Sequence, residues 1–365
     1  MIVYLIGTTV LIGIILGATP YMSQYHVPFG VTLTGKDARG ETIKKWKKSH
    51  FLYHIGLAGF LSLFLWLVQG KATEEQFSII YTGVVFFQLM LSFILYIHFY
   101  NRSKKLKEDA LVGTKPEQRI GIDLAFRQEP FTFSTSYLVT INVLLAVITA
   151  GVTLLNYDSI PDVIVTQWDM SMTPTTLTDK SYLSVLAIPA IQLFIGIIMG
   201  VSNYSIQQAK QRVDARQAPE SAKRDKRFRK QSSLMLVAIS IGTQLLLMGT
   251  QSASMQAFIS PEALMVLSLL FFVFVMGLVL WLGLRYGQSG SNIDTEALSK
   301  EEGFPSYDDD QYWKLGMFYF NKEDPAFWVE KKMGLGVTFN MAKWQGWAFL
   351  IGIILIPFLI VYFMI

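Results

Sequence analysis

The sequence predicts an all-α integral membrane protein of about eight transmembrane helices, N-out/C-out, with a small cytoplasmic hairpin-like module before the last helix. Three observations carry this. Long uncharged apolar stretches recur along the chain, each near the roughly 20 residues a helix needs to cross a bilayer core. Only 16% of the 365 residues are charged, against about 25% in an ordinary soluble domain. The basic residues also fall in alternate loops.

The expected spans are Ile2–Ala18, Phe51–Val68, Ile79–Ile97, Leu138–Leu155, Tyr182–Asn203, Leu234–Gly249, Ala263–Leu284 and Gly346–Ile365. The first has no Lys or Arg before it and no small-residue cleavage site after it, so it reads as an uncleaved anchor. Gly13 and Gly17 within it form a GxxxG pair, a spacing that permits close helix approach. At the start of the second, His50 and His54 lie one turn apart. That spacing suits a metal or haem ligand pair. No Glu accompanies them, and Phe51, Tyr53 and Tyr100 around them resemble an interfacial aromatic belt, so neither metal nor cofactor is expected. Polar residues within the spans are few, chiefly the amides Gln88, Asn142, Gln192 and Gln244. These are expected to hydrogen-bond to neighbouring helices. Span five adds a second GxxxG pair, Gly196 and Gly200, and Pro189, which predicts a packed kink. Trp344 and Trp347 would anchor span eight at headgroup level.

The loops set the orientation. Of the 31 basic residues, only Lys71 and Lys180 lie outside the loops after spans one, three, five and seven. The positive-inside rule then places those loops in the cytoplasm and both termini outside. Glu74, Glu75, Asp158, Asp162, Asp169, Asp179 and Glu262 fall on the opposite, outer face. Such a face would steer cationic peptides or metal ions toward it. It is also what results when acids simply translocate more readily than bases. Five regions follow: a three-helix region (1–100), a second membrane region (136–250) with an outer cap (157–181) and a basic inner loop (205–231), a seventh span (263–285), a cytoplasmic aromatic-rich module (286–343) and the last span (346–365).

Several function classes lose support. No Asp, Glu, Lys or Arg occupies the middle of a span, which leaves a proton-coupled transporter without a relay. There is no HExxH motif and no pair of intramembrane acids. Cysteine is absent, so no thiolate can attack a substrate or hold a metal. No nucleophile–base pair can be assembled, and an enzyme is not expected. Nucleic-acid binding is not expected either, because the basic loop lacks a recognition fold.

The outer loop Tyr157–Ser181 holds two prolines, a tryptophan and several apolar residues. Ser159–Asp162 reads as a turn and Val163–Thr166 as a short extended run. A small ordered cap on the outer ends of spans four and five is expected. Ile160, Pro161, Asp162, Ile164, Thr166, Trp168 and Lys180 follow an LPD–IP–HW pattern ending in a Lys before a span. This resembles the domain of unknown function found in SdpI-type bacterial toxin-immunity proteins, over roughly spans four to six. Gln167 stands where that family usually has His, and the usual following Gly is missing.

A second resemblance runs from Asp310 to Asn340. Trp313, Gly316, Phe318, Tyr319, Asn321, Asp324, Pro325, Val329, Gly334, Gly336, Thr338 and Asn340 are similar to a short cytoplasmic module, itself of unknown function. That module often follows the first domain in bacterial membrane proteins. Asn321-Lys322 replaces its Asn-Pro, and Val27–Val31 is similar to the segment after the first span in the same proteins. The resemblance implies a multi-pass protein of the bacterial plasma membrane, in some cases tied to resistance against a secreted peptide. Independently, the aromatics and turn residues of this run predict a compact hairpin-like element. Gly-Val-Thr recurs in Phe29–Leu33 and Leu335–Phe339, each before a span; three shared residues are too few to make packing of these runs on each other the expectation.

Ser205–Gln231 carries nine basic and three acidic residues, whereas Gly287–Lys343 carries six and ten. The two segments either dock on each other or the basic one lies on anionic lipid; lipid contact is the expectation. The functional expectation is a non-enzymatic protein of peptide or toxin immunity, envelope stress or signalling; the alternative is a transporter or channel component. Pro161, Asp162, Thr166, Gln167, Trp168, Asp169 and Lys180 are the candidate outer binding residues. Arg224, Arg227, Trp313, Tyr319, Asn321 and Asn340 are the candidates for an inner interaction. Beyond the bilayer and its anionic lipids, a secreted peptide outside or a cytoplasmic regulator inside is the candidate partner.

Overall fold

The computed structural model describes residues 2–111, 120–121, 131–169, 172–210, 213–214, 218–293 and 308–364. Lys115, Arg119, Arg127, Arg212, Arg216 and Lys300, counted above among the basic residues of the alternate loops, and Ile365, the expected end of the last span, lie outside them. Eight helices are long and apolar enough to cross a membrane: α1 (Ile2–Met22), α3 (Glu41–Val68), α4 (Glu74–Leu111), α5 (Thr135–Leu155), α6 (Tyr182–Gln208), α7 (Ala218–Ser254), α8 (Pro261–Tyr286) and α9 (Trp344–Met364). The first seven of these each contain an expected stretch, and α9 contains all of the last one but Ile365. Between α1 and α3 lies the short α2 (Gly35–Arg39), whose cap Thr34 accepts from the Asp37 amide.

Three helices outrun their apolar stretch, all toward one end of the bundle. α3 begins at Glu41 rather than Phe51, α4 ends at Leu111 rather than Ile97, and α7 begins at Ala218 rather than Leu234. Lys and Glu are good helix formers, and pairs one turn apart such as Glu41–Lys44 (2.8 Å) help the helix continue into water.

Both GxxxG pairs are used, and they build the two most extensive helix pairings, α1–α3 and α5–α6. A Cβ on Gly13 would stand 2.7 Å from the Ala58 Cβ, and one on Gly17 3.0 Å from the Phe51 ring. Likewise Gly196 faces the Asn142 Cβ at 2.7 Å and Gly200 the Val139 side chain at 2.5 Å. α8 touches both α1 and α7 and so joins the two halves, while α9 packs on α6. α6 is one helix from Tyr182 to Gln208 with Pro189 buried inside it.

The intramembrane amides bond across helices as the sequence implies. Gln88 donates to the Thr9 carbonyl at 3.1 Å. Asn142 Oδ1 accepts from Ser240 (2.9 Å) and Gln244 (2.8 Å), and Gln192 and Gln244 donate to each other's carbonyls. His50 and His54 depart from expectation. They are not part of an interfacial belt but are buried between α1, α3 and α4. Gly17 brings α1 close enough to cover them: His50 Nδ1 lies 3.3 Å from the Gly17 carbonyl, and His54 Nε2 lies 2.8 Å from Ser92 Oγ. Among the described residues no group of three or more His, Cys, Asp or Glu is placed to hold a metal ion.

Among the described residues the strands form four antiparallel pairs. β2 (Val163–Trp168) and β3 (Pro174–Asp179) make a hairpin at one end of the bundle. At the other end, β5 (Trp313–Lys314) pairs with β6 (Phe318–Tyr319), and β7 (Trp328–Glu330) with β8 (Val337–Phe339). β1 (Ile120–Gly121) pairs with β4 (Val213–Asp214), tying together the loops after α4 and α6.

Close glycine packing yields a prediction. Gly196→Leu should lower the thermal stability of the purified protein by about 1–3 kcal/mol through overpacking against Asn142. Gly56→Leu, which meets nothing within 4 Å, should stay within about 0.5 kcal/mol. Equal melting temperatures for the two variants would refute the packing role.

Candidate functional site

The hairpin end is an ordered cap. Ile160 and Ile164 pack with Val185 of α6 and Met255 beyond α7, so the cap rests on α7 as well as on α5 and α6. The Ser254 hydroxyl donates to the Val165 carbonyl. The strand pairing shifts register around Thr166, giving a bulge; its hydroxyl donates to the Thr176 carbonyl at 3.2 Å. A bulge re-aims the side chains that follow it. Trp168 here lines a cleft of about 290 Å³ with Tyr4 and Leu5 of α1 and Pro261 and Leu264 of α8.

Most of the outer candidate residues fix the cap. Lys180 donates to the Ile160 carbonyl at 2.8 Å, lies 3.5 Å from Asp162 and sits over the Tyr157 ring. Gln167 accepts from Thr176 at 3.1 Å, and Asp169 accepts from the Thr173 amide at 2.8 Å to close the turn. Pro161 is half-buried in the turn entering β2. Asp162 differs: its side chain is 99% exposed. A second cleft, of about 410 Å³, opens beside the cap between α5 and α7, lined by Val152, Ile160, Met248, Met255 and Phe258. Gln251 closes it by donating to Thr153 (3.0 Å) and to the Val185 carbonyl (2.8 Å).

At the opposite end, the charged segments dock. Arg229 of α7 is buried between Asp225 (3.0 Å) and Glu330 of β7 (2.6 Å) and donates to the carbonyls of Ile206 and Ala209. Ser289 donates to the other Glu330 oxygen at 2.5 Å. Lys210 bonds Asp324 at 2.7 Å, and its amide donates to the Trp328 carbonyl. The expected lipid contact of the basic loop is therefore corrected for Lys210 and Arg229. A guanidinium buried this deeply needs fixed carboxylates, and the module supplies one of them.

A second ion cluster joins the module to α4 and to the segment after α1. Lys332 reaches Asp309 at 2.8 Å and also Asp310; Lys107 of α4 reaches Asp308 and, at 2.7 Å, Asp310. Asp310 accepts from the Thr32 amide (3.0 Å) and hydroxyl (2.6 Å). Burial opposes ionisation of Asp310, but the Lys332 and Lys107 ammonium groups prevail and hold its carboxyl well below the usual range. Gly30 and Gly316 meet backbone to backbone: a Cβ on Gly316 would lie 2.6 Å from the Gly30 carbonyl oxygen, and both have positive φ. The repeated Gly-Val-Thr runs thus find other partners. Gly30 meets Gly316, and Gly336 exchanges two hydrogen bonds with Gln288.

The inner candidates divide. Trp313 and Tyr319 form the module's core with Val329. Tyr319 donates to Asp324 at 2.7 Å, and burial followed by this bond raises its phenol above the ordinary range. Asn321 and Asn340 clamp each other: the Asn321 amide donates to Asn340 Oδ1 (3.1 Å), and Asn340 Nδ2 donates to the Asn321 carbonyl (2.6 Å). These four are framework, not an open binding surface. Arg224 is buried against Gly290, and Arg227 is exposed on α7. Sequence reasoning missed Arg229, Glu330, Lys332 and Lys107 as the joint. The Asp225–Arg229 spacing and the Asp308–Asp310 run were visible, but their partners are distant in the chain.

Two outcomes follow for the joint. Arg229→Met should destabilise by about 3–5 kcal/mol, because Asp225 and Glu330 stay buried without a cation, and Asp225→Leu/Arg229→Met/Glu330→Met should recover most of the loss. Melting temperatures check both. Because the folded value of Asp310 lies below the ordinary value of about 3.9, its contribution is present above that pH and lost as pH falls through the depressed value. The melting-temperature difference between the wild type and Asp310→Asn should then stay level from about pH 7 to pH 5, and Lys107→Met should move the acid loss of that difference to higher pH.

Comparison with known proteins gives two partial matches. A domain of unknown function (DUF1648) matches residues 144–193, the end of α5, the whole cap and the start of α6. A family of unknown function (DUF5808) matches residues 322–347, from the turn after β6 into α9. The first is narrower than the expected reach over spans four to six. No curated protein and no solved structure matches the chain. The two uncharacterised segments thus fall among the eight apolar helices of the described residues.

Proposed function

We propose that this is a non-enzymatic protein of the bacterial plasma membrane that protects against, or senses, a cationic amphipathic peptide at its outer face. In this reading the hairpin end lies outside and the module in the cytoplasm, as the distribution of Lys and Arg favours. One observation carries it: α7 is a single helix of 37 residues that holds the cap at one end through Ser254 and the adjoining Met255 and the module at the other through Arg229. At 1.5 Å per residue it spans roughly 55 Å, so whatever displaces the cap acts on the element that the module grips.

The cap offers chemistry suited to such a ligand. Asp162 presents an exposed carboxylate, and Asp158 and Asp179 are nearby in the same cap. Beside them the apolar cleft at Met255 and Phe258 would take a large side chain; Phe258 is 91% exposed. Acidic residues attract the cationic peptide, and the cleft takes its apolar face. The likeness of the cap motif to SdpI-type immunity proteins supports the same reading. The intramembrane column of Asn142, Gln192 and Gln244 is the observation that favours transport instead.

A deletion strain challenged with a panel of secreted cationic peptides tests the proposal. Sensitivity to one peptide is expected, rescued by the wild type and not by Asp162→Ala/Trp168→Ala expressed at equal level. If no peptide discriminates, or the double variant rescues fully, the outer-cap reading is wrong. Peptide uptake into vesicles that collapses with uncoupler would instead establish transport.

A further inference from the structure

We infer that α7 and α8 form a binding site for a phosphate-bearing anion at the module end, one shaped for the headgroup of an anionic phospholipid. Arg227 and Lys230 of α7 and Arg285 of α8 line a cleft of about 490 Å³, together with Tyr286 and Asn292. Among the described residues no carboxylate pairs with any of these three cations. The contrast with Arg229 is direct: that side chain is buried and doubly paired, whereas Arg227, two residues earlier, is exposed. The helix thus separates its basic residues into a set that grips the module and a set that faces the cleft.

Position selects the ligand. Lys230 lies just before the apolar stretch of α7 begins at Leu234, and Arg285 follows directly where that of α8 ends at Leu284. Both leucines are exposed, so two apolar helix flanks lead away from the cleft in the direction acyl chains would take. Trp281 sits edge-on to Tyr286 with ring centres 5.5 Å apart, the aromatic pairing found at headgroup level. Asn292 bonds the carbonyls of Tyr21, Gly283 and Leu284, holding the cleft wall rigid. Two guanidinium groups and an ammonium converging on one cavity match the several acceptor oxygens of a phosphodiester.

The test uses the full chain in neutral detergent, titrated with phosphatidylglycerol, with phosphatidylcholine, or with inorganic phosphate, and read by native mass spectrometry and thermal shift. Saturable binding of phosphatidylglycerol over phosphatidylcholine is expected. In Arg227→Gln/Lys230→Gln/Arg285→Gln it should weaken by about 100-fold, from the loss of three basic contacts. Lys45→Gln/Lys48→Gln/Lys105→Gln removes the same charge from exposed positions elsewhere and should bind as the wild type does. If inorganic phosphate reproduces the cleft-dependent binding and the lipid does not, the ligand is a free phosphate compound at this same site. Equal weakening in both triple variants, or no saturable binding by the wild type, overturns the site.

Discussion

The pairing of Arg229 with Asp225 and Glu330 is the constraint on which the rest of the module end depends. A guanidinium only 2% exposed cannot stand there without fixed negative partners. Asp225, one turn earlier, is local, but Glu330 arrives on a strand a hundred residues later in the chain. Once Glu330 is placed, β7 is placed, and the β7 backbone receives Lys210 from the end of α6. The same strand leads directly to Lys332, whose ammonium group gathers Asp309 and Asp310 and, through Asp310, Thr32 and Lys107. One buried cation therefore aligns α6 and α7, and the second aligns α4 and the segment after α1. Isolated surface pairs would contribute little; these matter because their desolvation leaves no tolerable alternative geometry.

The two ends of the molecule follow different physics. The hairpin cap is held by apolar packing of Ile160 and Ile164 and by side chain to backbone bonds from Lys180 and Ser254. It buries no ion pair as deeply as the module does. The module is held by charge, with close glycine contacts setting the fit. Between them, the bundle itself rests on small-residue interfaces and on amides that bond across helices. Without a hydrophobic force between helices in lipid, these contacts must set helix position.

Much of this architecture was legible because its signals are local. Apolar length marks each span, and GxxxG marks the α1–α3 and α5–α6 faces directly. The turn chemistry of Ser159–Asp162 and the extended run after it gave away the cap. What stayed hidden was long-range. Arg229, Lys332 and Lys107 look like ordinary solvated charges until Glu330 and the Asp308–Asp310 run are brought to them. His50 and His54 looked interfacial because their neighbours in sequence are aromatic, and nothing in α3 alone reports that Gly17 of α1 covers them. Trp313, Tyr319, Asn321 and Asn340 stood out as unusual residues, but their pattern could not distinguish an internal clamp from an exposed recognition surface.

The bond from Thr32 to Asp310 joins residues 278 positions apart, and this has a consequence for biogenesis. As the chain leaves the ribosome, the segment after α1 emerges early and α7 follows, each with polar groups whose partners have not yet been made. Seven helices enter the bilayer before the module exists to receive them. Only when residues 308–340 emerge can Thr32, Lys107 and Arg229 all meet the carboxylates of the module. A chain stopped before the module leaves Arg229 with Asp225 as its one carboxylate partner and Lys107 without Asp308 and Asp310.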